Sequence, residues 1–118
     1  MAEFSITQQT LRDDTLLLNP GRILDNSNAH EMVAMITSAC SRGFKYVIID
    51  MCDLEFLSSA GVGSILGTVE NLRESGGDLI LCNLSGTIQH VFEVLDLDEY
   101  LTIKIDKEEA IKLCGVAR

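Results

Sequence analysis

The sequence predicts one α/β domain over residues 1–118. It has a mainly parallel sheet of about five strands and about four helices, in the order β-β-α-β-α-β-α-β-α. Three observations predict this. The runs 46-YVIID-50 and 79-LILC-82 are short, β-branched or apolar throughout, and read as strands buried on both faces. Between and around them, apolar residues recur at spacings of three and four, the period of helices with one buried face. The two patterns alternate along 118 residues, the length of one domain, with no linker and no repeat.

The elements follow in order. Phe4 and Ile6 alternate with Ser5 and Thr7, as in a half-exposed strand. Asp13-Asp14 turns the chain into a second strand, 15-TLLL-18, and the breakers in 19-NPGRILDNSN-28 mark a loop. Asn28 is placed to cap a helix, with Glu31 at the capping-box offset. Ala29, Met32, Val33, Ile36 and Cys40 form its buried stripe, and Gly43 ends it. After the strand 46–50 comes 53-DLEFLSSAGVGSIL-66, which leads into a second helix with Val62, Ile65, Leu66, Val69 and Leu72 on one face. That helix stops at 76-GG-77, before the strand 79–82. Ser85 opens a third helix that carries Ile88, Val91, Phe92 and Leu95. Leu101, Ile103 and Ile105 alternate with Thr102 and Lys104, the pattern of an edge strand. Asp106 and Glu109 can cap a last helix bearing Ala110, Ile111 and Cys114. Right-handed crossovers put successive helices on one face of the sheet while the strand order does not reverse.

Composition narrows the function. A net charge of −9 argues against nucleic acid, which needs a basic patch, and against an anionic membrane surface. The start, 1-MAEFSITQQTL-11, lacks the basic and apolar regions of a secretory signal, and no apolar run approaches the roughly 18 residues that span a bilayer. Cys40, Cys52, Cys82 and Cys114 show no CxxC spacing and are expected to be small buried hydrophobes with no metal or redox work. These features together point to the cytoplasm.

The serine-bearing stretch has several readings. Ser58 or Ser59 can cap the second helix by accepting a backbone N–H. Gly61, Gly63 and Gly67 can let the helix start pack closely against the sheet. They resemble a dinucleotide loop only loosely, because the third glycine is one position late and all three follow the serines. No Lys supplies a Walker-type loop. A nucleophile at Ser59 needs a base. The two histidines, His30 and His90, fall on other helices, and Leu57 stands where an elbow motif needs glycine. The remaining reading makes Ser59 a substrate for another protein's kinase. A helix start tolerates a phosphate, and close to two added negative charges beside Asp50, Asp53 and Glu55 can reverse a binding contact.

The stretch 47-VIIDMCDLEFLSSAGVGSILGTVENLRESGGDLILCNL-84 resembles the core of bacterial anti-sigma factor antagonists of the STAS-domain family. Their pattern is an apolar strand ending in Asp or Asn, a short acidic loop, Asp-Ser-Ser/Thr/Ala-Gly-Leu-Gly, a helix, a Gly-Gly turn and a second apolar strand. Upstream, 21-GRILDNSNA-29 resembles the family's Gly-x-Leu-Asp segment, with one more residue between Gly21 and Asp25. The resemblance implies a single STAS domain that binds an anti-sigma factor that is also a serine kinase, and so frees the sigma factor. Phosphorylation of the serine ends the binding, and a serine phosphatase restores it. By position the phosphoacceptor is Ser59. Ser58 is the alternative, since it stands where the family usually has Asp and leaves two adjacent hydroxyls. Asp25, Asp53, Glu55, Leu57, Ser58, Ala60, Gly61 and Val62 are the implied partner-binding residues. Such a protein needs no cofactor of its own and is not itself an enzyme. Related domains serve instead as accessory subunits of lipid transporters or as scaffolds of stress-signalling assemblies.

Overall fold

A computed structural model describes residues 6–115 of the chain. Phe4 and Ser5, half of the alternation expected to open the first strand, lie outside them. The strand itself, β1, covers Thr7–Arg12, turns at Asp13-Asp14, and pairs antiparallel with β2, Thr15–Asn19. The chain continues through β3 (Ile23–Leu24), α1 (Ala29–Ser41), β4 (Tyr46–Asp50), β5 (Phe56–Leu57) and α2 (Ser59–Glu74). It ends with β6 (Asp78–Cys82), α3 (Gly86–Val94), β7 (Thr102–Lys104) and α4 (Lys107–Gly115).

The main sheet has the order β1-β2-β4-β6-β7, and every pair after the first hairpin is parallel. From β2 to β7 the order never reverses, so right-handed crossovers carry α1, α2 and α3 over the same face. Alternate side chains of the central strands divide accordingly. Leu16, Leu18, Val47, Ile49, Leu79 and Leu81 join the large core with Met32, Ile36, Ile65, Val69, Leu72, Ile88 and Phe92. Leu17, Ile48, Ile80 and Cys82 face the other way, where Ala110 and Cys114 of α4 meet them. Burial on both faces explains why 46–50 and 79–82 carry no polar alternation. β1 is an edge with its first four residues exposed, as its polar sequence requires.

The structure corrects several expectations. The segment 19–28 is not all loop: β3 pairs in parallel with β5, Ile23 with Phe56 and Leu24 with Leu57. Asn28 precedes α1 but makes no side-chain cap. Its buried amide instead accepts from Asp25 N–H at 3.0 Å and donates to the Ile23 carbonyl at 2.8 Å, which closes the loop on itself. Leu95 and Ile105 are 50% and 78% exposed, because each falls one residue past the end of its element. Cys52 is exposed in the loop after β4, unlike the buried Cys82 and Cys114. Asp106 does cap α4, accepting from Glu109 N–H at 2.9 Å.

At the end of the sheet opposite the serine loop, the Gly-Gly turn has a steric role. Gly76 ends α2 at φ +92°, and at Gly77 a Cβ would sit 1.7 Å from the Lys45 carbonyl oxygen. Nearby, Arg73 donates to Asp78 and to the Tyr100 carbonyl, both at 2.8 Å, and stacks over the Tyr100 ring. The turn is thus pinned from both sides. Gly77→Ala is expected to cost about 2–4 kcal/mol of unfolding free energy, because backbone must move to admit the methyl. Gly67→Ala, with open space around it in mid-helix, should gain up to ~1 kcal/mol from helix propensity. Urea unfolding of the two variants checks both signs.

Candidate functional site

The site lies at the C-terminal ends of β4 and β3, where β5 leads directly into α2. Its backbone is fixed by a few contacts to the β3 segment. Glu55 and Phe56 donate their N–H groups to the Arg22 carbonyl at 2.7 and 3.1 Å, and Ser58 donates to the Leu24 carbonyl at 3.0 Å. The helix then starts hard against that carbonyl. A Cβ on Gly61 would lie 2.6 Å from Leu24 O and 2.7 Å from the Leu57 side chain. Close packing therefore accounts for Gly61. It does not account for Gly63 or Gly67, whose surroundings are open.

The two serines have different places. Ser58 is the N-cap, with extended backbone and its hydroxyl accepting from Gly61 N–H at 3.2 Å. Ser59 is the first residue of α2 and is exposed. Its hydroxyl makes no hydrogen bond among the described residues. The first helical N–H to find a backbone acceptor is that of Val62, on Ser58 O. The N–H groups of Ser59 and Ala60 thus point out of the helix start, as the geometry of a helix terminus dictates.

The acidic residues are each engaged nearby. Asp53 accepts from the Asn19 amide at 3.2 Å, and Glu55 pairs with Arg22 at 3.0 Å in solvent. Asp25 follows Leu24 and so reaches the same end of the sheet. Its carboxylate bonds the hydroxyl and N–H of Ser27, at 2.6 and 2.8 Å. Those bonds, the hydroxyl's first, hold its pKa below the ordinary carboxylate value. Leu57 and Ala60 are half-buried, whereas Gly61 and Val62 are buried beneath the loop. Sequence reasoning missed Phe56, which is 54% exposed beside the serines. The signal was present as an aromatic residue within an acidic loop. A groove between α1 and α2, about 210 Å³ and lined by Ala29, His30, Val33, Ala60 and Ser64, also reaches the neighbour of Ser59.

Among the described residues no hydrogen bond joins the Ser58 or Ser59 hydroxyl to a histidine. His90 lies 3.9 Å from Glu93 on α3, and His30 is exposed at the start of α1. Among the described residues no group of three His, Cys, Asp or Glu could hold a metal ion, and no helix is long and apolar enough to cross a membrane.

The fold and the site define a class: a parallel-sheet domain that presents a free serine hydroxyl at the start of its second helix. The chain belongs to the STAS domain family, whose model matches residues 7–110. The anti-sigma F factor antagonist of Lysinibacillus sphaericus is 29% identical over 94 residues, 79% of this chain and 80% of that one. BtrV of Bordetella bronchiseptica, provisionally named an anti-sigma factor antagonist, is 31% identical over 72 residues. That match spans 61% of this chain and 62% of BtrV. Among solved structures, the anti-sigma factor antagonist SpoIIAA in its unphosphorylated form is similar, with a TM-score of 0.81 and 26% identity over 92% of this chain and 95% of that one.

Two outcomes test this geometry. Ser58→Ala should cost about 1 kcal/mol through loss of the cap, and Ser59→Ala should stay within about 0.5 kcal/mol of wild type. Thermal unfolding of both separates cap from free hydroxyl. In carboxyl NMR titration, Asp25 should titrate below the ordinary range, and Ser27→Ala should move it back up. The sign for stability follows. Asp25 contributes above its unfolded pKa, and the contribution is lost as pH falls through the lower folded value.

Proposed function

We propose that this chain is an anti-sigma factor antagonist of the cytoplasm. In this reading it binds an anti-sigma factor that is also a serine kinase, and so releases the sigma factor. Phosphorylation of Ser59 ends the binding and a serine phosphatase restores it. ATP and Mg²⁺ belong to the kinase, and the chain itself is a binding protein with no catalytic role. The observation that carries the reading is the contrast between the two serines. Ser58 spends its hydroxyl on the helix cap, whereas Ser59 offers an exposed hydroxyl to a kinase cleft. Relatives support it: SpoIIAA has been solved both unphosphorylated and phosphorylated, each about a quarter identical to this chain.

The docking face in this reading is the exposed rim around Ser59. Asp25, Asp53, Glu55, Leu57, Ser58 and Ala60 form it, with Phe56 added as an aromatic anchor, and it rests on Gly61 and Val62. A phosphate on Ser59 would meet the free N–H groups of Ser59 and Ala60 and the favourable end of the α2 dipole, so the fold should survive it. The partner's contact with the rim would not. A loss of about a hundredfold in affinity requires only ~2.7 kcal/mol.

The test uses two baits, Ser59→Ala and Ser59→Asp, in lysate of the native organism, with retained proteins identified by mass spectrometry. An ATP-binding anti-sigma kinase should be held by the Ala bait and lost by the Asp bait. The same partners on both baits would reduce Ser59 to a surface residue and bring a transporter subunit or signalling scaffold forward.

A further inference from the structure

On the sheet face opposite α1, α2 and α3, α4 packs over β4, β6 and β7. The corner by β1 and β2 holds a cavity of about 260 Å³. Thr7, Gln8, Gln9, Leu17, Asn19, Asp50 and Lys107 line it, at the C-terminal ends of the parallel strands β2 and β4. That end of a parallel sheet is where ligands usually collect.

Two of the lining groups carry charge and are not satisfied by one another. Asp50 is only 9% exposed. The two N–H groups that reach its carboxylate, from Cys52 at 3.1 Å and the Asn83 amide at 2.9 Å, both fall on Oδ1. No N–H or O–H of the described residues falls on Oδ2. The Cys52 thiol also bonds this carboxylate but is a weak donor. Lys107, exposed at the start of α4, forms no ion pair among the described residues. A buried carboxylate and an ammonium therefore line one cavity without forming a salt bridge. No buried side-chain nitrogen or oxygen among the described residues lacks a partner, so the Oδ2 that takes no N–H is open to the cavity rather than sealed in. The remaining polar lining, Thr7, Gln8, Gln9 and Asn19, is neutral and can donate or accept.

We propose that this cavity binds a small dipolar ion of free amino-acid size. Its ammonium would donate to Asp50 Oδ2 and its carboxylate would accept from Lys107. A ligand with one charge would leave one of the two protein charges unmatched. The volume lies just below the roughly 300–1,000 Å³ of drug-sized sites, which suits a ligand of this size. The site does not depend on the role of Ser59. It does have a local readout, because its lining residues hold the loop after β4, through Asn19 on Asp53 and Asp50 on Cys52 N–H.

The test is a ¹⁵N NMR titration of the whole chain with each standard amino acid to about 10 mM, a range that detects millimolar binding. Acetate and methylammonium serve as single-charge controls. At least one amino acid should shift the amide signals of Gln9, Asn19, Cys52 and Asp53 saturably, and neither control should. Asp50→Asn and Lys107→Ala should each weaken that binding at least tenfold with the amide spectrum otherwise retained. No saturable shift with any amino acid would mean that water or Lys107 itself fills the cavity, and would overturn the proposal. So would saturation by either control, or binding that survives both substitutions.

Discussion

The start of α2 can lie against β3 only because residue 61 has no side chain. The Leu24 carbonyl sits where a Gly61 Cβ would be, and the same oxygen takes the Ser58 N–H. One oxygen atom thus fixes both the position of the helix start and the residue that caps it. From this contact the register of the serines follows. Ser58 must be the cap because its N–H is held outside the helix, and Ser59 must be the first helical residue, turned to solvent. A methyl at position 61 would push α2 away from β3 and rotate both hydroxyls. The glycine therefore acts on the site through backbone distance alone. At this position the angle φ is not the constraint, in contrast to Gly21, Gly43 and Gly76 with their positive φ.

The platform under that contact is small. β3 and β5 pair over only two residues each, too few to hold together alone in water. They are held by ties outside the ladder: Asn28 bridges Asp25 N–H to the Ile23 carbonyl, and the Arg22 carbonyl takes two N–H groups from the other side. Asn28 is nearly fully buried, so both ends of its amide need partners, and the loop supplies them. The same need explains why Asn28 does not cap α1. An amide that already serves Asp25 and Ile23 has no free oxygen directed at the helix. The cost to α1 is modest, because its N-terminus is also secured by the Asp25 carbonyl, which accepts from Asn28 and Ala29.

This division explains what the sequence made legible. The main sheet and the four helices could be read because each has enough residues for a period. Val62, Ile65, Val69 and Leu72 recur over three turns, and all are buried. Leu16, Leu17 and Leu18 alternate between two covered faces and so show no polarity at all. A two-residue strand has no period, so β3 and β5 were invisible and 19–28 looked like loop. Exposure at element ends was equally hidden. Leu95 and Ile105 continue the apolar spacing of α3 and β7 but fall after each element has ended. Cys52 sits next to a buried strand in sequence but beyond its last residue in space. For the site, the motif located the serines. It could not say which hydroxyl was engaged, because that depends on where Leu24 lies.

The electrostatics of the rim bear on how a single phosphate could act there. Each acidic group of the loop is already occupied: Glu55 by Arg22, Asp53 by the Asn19 amide and Asp25 by Ser27. These partners fix the carboxylates in place, and Arg22, the one cation among them, is itself paired. Among the described residues of the rim, the N–H groups of Ser59 and Ala60 at the helix start are backbone donors without a side-chain or backbone partner. In the proposed switch a phosphate on Ser59 would be held by the helix start itself while its field extends outward. At physiological salt that field fades over about 8 Å, so its effect is confined to whatever docks on the rim. The sheet and its core lie under a rigid helix start and need not change. The proposed switch would need no second conformation: binding would be controlled at the surface where it occurs, and the fold would only have to keep one hydroxyl outside and one inside.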